Sequence, residues 1–265
     1  MSRRRSEITS YSQSAEGLGE AYRYSAGLKA PSLKFVSVRD ALVNTSNKTI
    51  YTVPTGKIFV LIGGHLNRIS GSAGQIEFKI ETADPVTLKF DQKYLNTYGE
   101  AVMNTTPPMN EGEKLVLNDA SSGSFWVDLY GFEIDASDTG NLVFVRSLNA
   151  AAGDTTIFTA TEKTFFSKFA PNFSPSLSSY SICSFGDVNS SGSTVYNRLY
   201  HVIGGGAKSS EEKVGDWSIG GNAYAARNNY SLMLEAGDTL VLERWSGGTN
   251  NPYLFYGWGI TFPDP

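Results

Sequence analysis

The feature that most constrains this chain is that it repeats itself. Val36, Val38 and Arg39, followed by Thr49, Ile50, Tyr51 and Thr52, recur as Val143, Val145 and Arg146, followed by Thr156, Ile157, Phe158 and Thr159. Every pair is offset by 107 residues without a gap. Farther along, Met109-Asn110-Glu111-Gly112-Glu113-Lys114-Leu115-Val116-Leu117 matches Leu234-Glu235-Ala236-Gly237-Asp238-Thr239-Leu240-Val241-Leu242 at an offset of 125. Tyr130-Gly131-Phe132-Glu133-Ile134 matches Tyr256-Gly257-Trp258-Gly259-Ile260 at 126. Matching residues at both ends of each copy, in one order, identify a duplicated domain.

Each copy reads as short strands. Leu240 and Leu242 point to one side and Val241 and Glu243 to the other, while Tyr256, Trp258 and Ile260 share a face. Turn residues punctuate these runs at Pro54-Thr55-Gly56, Glu111-Gly112-Glu113, Ala236-Gly237-Asp238, Ser246-Gly247-Gly248 and Asn250-Asn251-Pro252. No stretch sustains a helical apolar period. With 265 residues the chain accommodates two domains large enough for a core each.

The expected fold is therefore all-β: two tandem β-sandwich, jelly-roll-like domains from an internal duplication, preceded by an extended N-terminal arm. The arm is assigned to residues 1–34, the first sandwich to 35–136, a linker to 137–141 and the second sandwich to 142–265. The second copy is 19 residues longer. Much of the excess is assigned to loops in the Ser/Gly/Asn-rich stretches 171–193 and 204–229.

Composition excludes several roles. A net charge of −4 gives no domain-wide basic field, which argues against nucleic acid as partner. The single cysteine, Cys183, allows no internal disulfide and reads as a small buried thiol, and no Cys/His cluster has metal-ligand spacing. Arg3, Arg4 and Arg5 are followed by polar residues where a secretory leader needs an apolar segment, so none is expected. The longest strongly apolar run, Ile58 to Ile62, is far too short to cross a bilayer, so no membrane partner is expected.

Chemistry is equally sparse. His65 and His201 are the only imidazoles and neither sits in a catalytic motif. Glu77, Glu81, Asp84, Asp91, Asp128 and Glu133 offer carboxylate pairs, but any β-rich chain with 26 acids does so, and solvated strand edges explain them. Gly63-Gly64, Gly204-Gly205-Gly206 and Gly220-Gly221 lack the lysine and the helix of a phosphate cradle. No catalytic residue, cofactor or metal site is assigned, and no enzymatic activity is expected.

Two groups of residues suggest contacts instead. The N-terminal segment is poor in Leu, Ile and Val and carries Arg3, Arg4, Arg5, Tyr11, Tyr22 and Tyr24, a composition suited to an arm ordered on a neighbouring subunit. The second copy holds three of the four tryptophans, and Trp217, Tyr224, Trp245 and Tyr253 are expected on or beside loops. Exposed rigid aromatics serve subunit contact, the favoured reading, or glycan stacking.

The phrase Thr49-Ile50-Tyr51-Thr52-Val53-Pro54-Thr55-Gly56-Lys57, the later Glu111-Gly112-Glu113-Lys114-Leu115 and the closing Tyr130-Gly131-Phe132 resemble the jelly-roll domains of tailed-bacteriophage virion proteins. Leu234-Glu235-Ala236-Gly237-Asp238-Thr239-Leu240 fits the same pattern, whereas Thr159-Ala160-Thr161-Glu162-Lys163 lacks its Pro and Gly. The resemblance covers about residues 35 to 262. It implies an oligomeric, non-enzymatic virion component, made in the host cytoplasm, whose partners are copies of itself and other virion proteins. Its place would be on the capsid as decoration or on the neck or tail. The alternative is a carbohydrate- or receptor-binding fibre module with its site in the loops of the second domain.

Overall fold

A computed structural model describes residues 31–43, 47–71, 73–82, 87–95, 100–103, 107–119, 123–148, 152–166, 185–190, 193–220, 226–228, 231–246 and 253–262. The arm residues Arg3, Arg4, Arg5, Tyr11, Tyr22 and Tyr24, together with Asp84, Cys183 and Tyr224, lie outside the described residues.

The chain is all-β, with antiparallel pairing throughout the described sheets. The first half contains β1 (Leu33–Val43), β2 (Lys48–Thr52), β3 (Lys57–Ser70), β4 (Gly74–Glu81), β5 (Thr87–Leu95), β6 (Glu100–Met103), β7 (Lys114–Asp119) and β8 (Ser124–Asp135). They form two sheets, β1-β8-β3-β6 and β2-β7-β4-β5, which is the strand order of an eight-stranded jelly roll. Strand alternation explains the layering. Ile76, Phe78 and Ile80 of β4 face inward and are fully buried, while Gln75, Glu77 and Lys79 face out and are half-buried.

The second half contains β9 (Leu142–Leu148), β10 (Gly153–Thr159), β11 (Lys163–Phe166), β12 (Phe185–Asn189), β13 (Val195–Val202), β14 (Lys213–Ile219), β15 (Ala226–Asn228), β16 (Leu232–Leu234), β17 (Thr239–Ser246) and β18 (Tyr253–Phe262). One sheet runs β10-β17-β13-β14. The other runs β15-β12-β18-β11-β16 with β9 also on β18. Here β11 and β12 together occupy the place of β3, and β15 and β16 flank them as β6 flanks β3. The order is that of the first half with two strands interrupted.

Pairing registers support the duplication residue by residue. In β2 the register skips between Thr49 and Tyr51 opposite Val116 and Leu115, and in β10 it skips between Thr156 and Phe158 opposite Val241 and Leu240. Both copies thus carry the same bulge at the same offset. The neighbouring turns agree too. Val53 N–H donates to the Glu113 carbonyl at 2.9 Å and Gly112 N–H to the Val53 carbonyl at 3.0 Å. In the second copy Ala160 N–H donates to Asp238 at 2.9 Å and Gly237 N–H to Ala160 at 2.8 Å. Gly112 and Gly237 have φ of 76° and 93°, a region only glycine enters freely.

One sequence pairing is shifted. Sequence matches Val38 to Val145, but Gly131 stands opposite Val36 whereas its counterpart Gly257 stands opposite Val145. The two strands occupy the same place with a slip of two residues. Such a slip keeps every side chain on its own face, so the apolar pattern does not resist it.

The loop assignments need a larger correction. Stretch 171–193 contains the buried strand Phe185–Asn189, and stretch 204–229 contains Lys213–Ile219 and Ala226–Asn228. Asp187 and Asn189 hid the first of these, because polar residues stand at inward positions where the alternation would show apolar ones.

Candidate functional site

In β18 the residues from Tyr253 to Ile260 are buried on both faces. Its inner face meets the core of its own sandwich, and its outer face meets the first sandwich. Leu254, Tyr256 and Trp258, with Val188 of β12, belong to one continuous apolar cluster with Val53, Phe59 and Met109, and Leu142, Phe144 and Leu148 pack against it. Polar contacts fasten the margin. The Arg146 guanidinium donates two bonds of 2.6 Å to the buried Glu113 carboxylate and one of 3.3 Å to the Pro108 carbonyl, and Lys89 N–H donates to Ser190 Oγ at 2.7 Å. The outer face of the second sandwich is therefore a docking face, and the tip of the first sandwich fills it.

The first sandwich has the same face, formed by β1, β8 and β3, and no described element covers it. Phe144 meets Trp258 edge-on, with centroids 4.6 Å apart and planes at 77°. At the corresponding register Phe35 meets Phe132 edge-on at 5.9 Å and 71°. Phe35 also stacks on Tyr130 at 6.4 Å, and the His65 ring lies 6.0 Å from Tyr130. Leu33, Phe35 and Trp126 are 51%, 58% and 49% exposed. Farther along β1 the Arg39 guanidinium donates to Asp128 at 2.7 Å. Phe35, Tyr130 and Phe132 thus gather on one surface of the sandwich.

The four aromatic residues singled out in the second copy separate. Trp245, on β17, is 61% exposed, with the Arg198 guanidinium 3.6 Å from its ring centroid and Tyr196 48% exposed on the next strand. Tyr253 is fully buried in β18 and Trp217 is half-buried in β14, stacked 6.2 Å from Phe255. Neither of these two is a loop residue open to a partner. Both turn inward because each has a polar end that a buried acid accepts: Asp187 Oδ2 takes Trp217 Nε1–H at 2.9 Å, Tyr253 O–H at 3.1 Å and Asn197 Nδ2–H at 3.0 Å. Burial, and then the charge of Asp187, push the Tyr253 phenol well above its ordinary pKa.

The duplication supplies an internal control for this cluster. By register, Asp187, Asn189, Asn197 and Tyr253 stand where the first copy has Gly64, Leu66, Ile76 and Val127, and Arg244 stands where it has Asp119. Positions that are apolar in one copy, Asp119 excepted, are thus hydrogen-bonded polar ones in the other. Asn189 extends the cluster by donating to the Ser193, Ile219 and Gly220 carbonyls, which ties neighbouring segments together.

The remaining candidates bond within the fold. His201 Nε2 lies 2.7 Å from Asp238, which also accepts N–H bonds from Gly204 and Glu235 at 2.9 Å each. Burial opposes the charge on Asp238, but these partners hold its carboxyl below the ordinary range. Glu77 is held at about 2, against burial, by Lys89, Asn118 and Lys79. Glu81 pairs with Lys114, Asp128 with Arg39, and Glu133 with Lys34 and Tyr51. Among the described residues no group of three or more His, Cys, Asp or Glu could hold a metal ion. No described helix is long and apolar enough to cross a membrane.

No family model and no curated protein matches the chain. Solved structures do match it. The tandem CBM22-1-CBM22-2 domain of Xyn10C from Paenibacillus barcinonensis is 8% identical, covering 91% of this chain and 100% of that one, with a TM-score of 0.23. N-glycanase F (PNGase F) is 8% identical over 87% and 96%, with a TM-score of 0.32. A chain of Sulfolobus Turreted Icosahedral Virus is 11% identical over 87% and 61%, with a TM-score of 0.22.

Proposed function

We propose that this chain is a non-enzymatic structural protein of a tailed-bacteriophage virion, mounted on the capsid or on the neck or tail. The observation that carries this reading is the open aromatic face of the first sandwich, the counterpart of a face that the chain buries elsewhere against one of its own sandwiches. A subunit made for assembly has surfaces of this kind, and jelly rolls are a common capsid material. The experiment is quantitative mass spectrometry of density-purified phage particles. The chain is expected at a fixed stoichiometry of several copies per particle, and its absence from particles, or its release by a mild salt wash, would count against the proposal.

A second reading rests on Trp245 and Tyr196. Their exposed rings beside Arg198 form a platform on which a sugar could stack, which keeps a glycan-binding fibre module as the alternative. A glycan array with the wild-type chain and Trp245→Ala discriminates the two: saturable binding lost in the variant favours the fibre module.

A further inference from the structure

We propose that the outer face of sheet β1-β8-β3-β6 is closed by the same face of a second copy of this chain, across a two-fold axis. The inference rests on the assembly reading above only in taking the chain to be a subunit. Its first support is the interface already built on the equivalent face of the other copy. The corresponding face of the second sandwich is buried against a sandwich of the same ancestry, with an edge-on aromatic pair at the same register.

The second support concerns how the face can be filled. Within the chain the filling element is the tip of the first sandwich, where Glu113 receives Arg146. The corresponding tip of the second sandwich carries Asp238, and its two oxygens are engaged by His201, Gly204 and Glu235 of the same sandwich. On the open face Ser37 stands where the second copy has Arg146, since Ser37 is opposite Tyr130 and Arg146 is opposite Tyr256. A head-to-tail contact there would lack the two-pronged ion pair that fastens the joint within the chain. A two-fold contact needs no such tip, because one patch serves both partners.

The third support is charge. The face carries Arg39, whose side chain is 72% exposed, and Asp128 beside Leu33, Phe35 and Trp126. Because it holds both signs next to an aromatic stripe, it can meet itself without a net like-charge clash.

The test uses the purified full-length chain, so its failure leaves the particle experiment standing. Sedimentation velocity over about 1 to 100 µM is expected to show a discrete dimer of the 28.7 kDa chain. Phe35→Ser and Trp126→Ser change exposed side chains, and each is expected to weaken the dimer about 30-fold or more, as loss of an interface anchor does. In a Cys183→Ser background, Ser37→Cys places a thiol on the same exposed face of β1, expected to react slowly in the dimer and fast after dilution. A monomer with a reactive introduced thiol overturns the proposal. So does a monomer with a protected thiol, which would mean that residues 1–30 cover the face, and so do open-ended assemblies, which would mean head-to-tail contact.

Discussion

Asp187→Ala is expected to destabilise the protein by about 3–5 kcal/mol, the cost of breaking a buried charged network by removing one partner. Three donors converge on one oxygen of this residue: Asn197 Nδ2–H, Trp217 Nε1–H and Tyr253 O–H. Asp187, Asn197 and Tyr253 are fully or almost fully buried, so water cannot replace the lost acceptor without opening the sandwich. Guanidinium unfolding monitored by circular dichroism measures the effect. Asp187→Asn retains an oxygen in the same place and is expected to lose less. A loss below about 1 kcal/mol for Asp187→Ala would mean that the network does not hold the core together.

Arg146→Ala is expected to cost a similar 3–5 kcal/mol and, in addition, to make the two sandwiches unfold separately. Glu113 is 4% exposed and has both oxygens on the guanidinium, so the variant leaves its charge buried without that cation. The pair also ties β9 of the second sandwich to the tip of the first, at the edge of the shared apolar cluster. Arg146→Lys is not expected to restore it, since an ammonium cannot reproduce the two-pronged contact. Scanning calorimetry should show one transition in the wild type and two in Arg146→Ala. A single unchanged transition would show that the apolar contact alone couples the halves.

The duplication was legible because it was written in turns and bulges. Gly112 and Gly237, and the acids Glu113 and Asp238 after them, keep their spacing since each fixes a backbone conformation that few residues permit. The all-β class followed from alternation in strands such as β17 and β18. The aromatic site was only half legible. Trp245 is exposed on β17, whereas Trp217 and Tyr253 carry the same composition signal and turn inward to bond Asp187. Nothing local marks Asp187 as buried, because the segment around it reads as a polar loop. The open face of the first sandwich went unnoticed for a different reason: Phe35, Tyr130 and Phe132 look like core residues until the strand order shows which side of the sheet they occupy.

The position of β18 bears on the order in which the chain can fold. It is made last of the described strands, yet it pairs with β9, β11 and β12 and covers part of the first sandwich. The halves of the interrupted strand, β11 and β12, pair with it and not with each other: Phe166 stands opposite Gly259 and Phe185 opposite Gly257, with the two rings stacked 5.1 Å apart. Until the ribosome has released this segment, the second sandwich has no template on which to close, while every strand of the first is already available. Synthesis from the N-terminus thus imposes a sequence of events, with the first sandwich waiting in a partly uncovered state. A nascent chain arrested before Tyr253 should recruit chaperones that recognise exposed apolar surface, and release of the final strand should discharge them in one step.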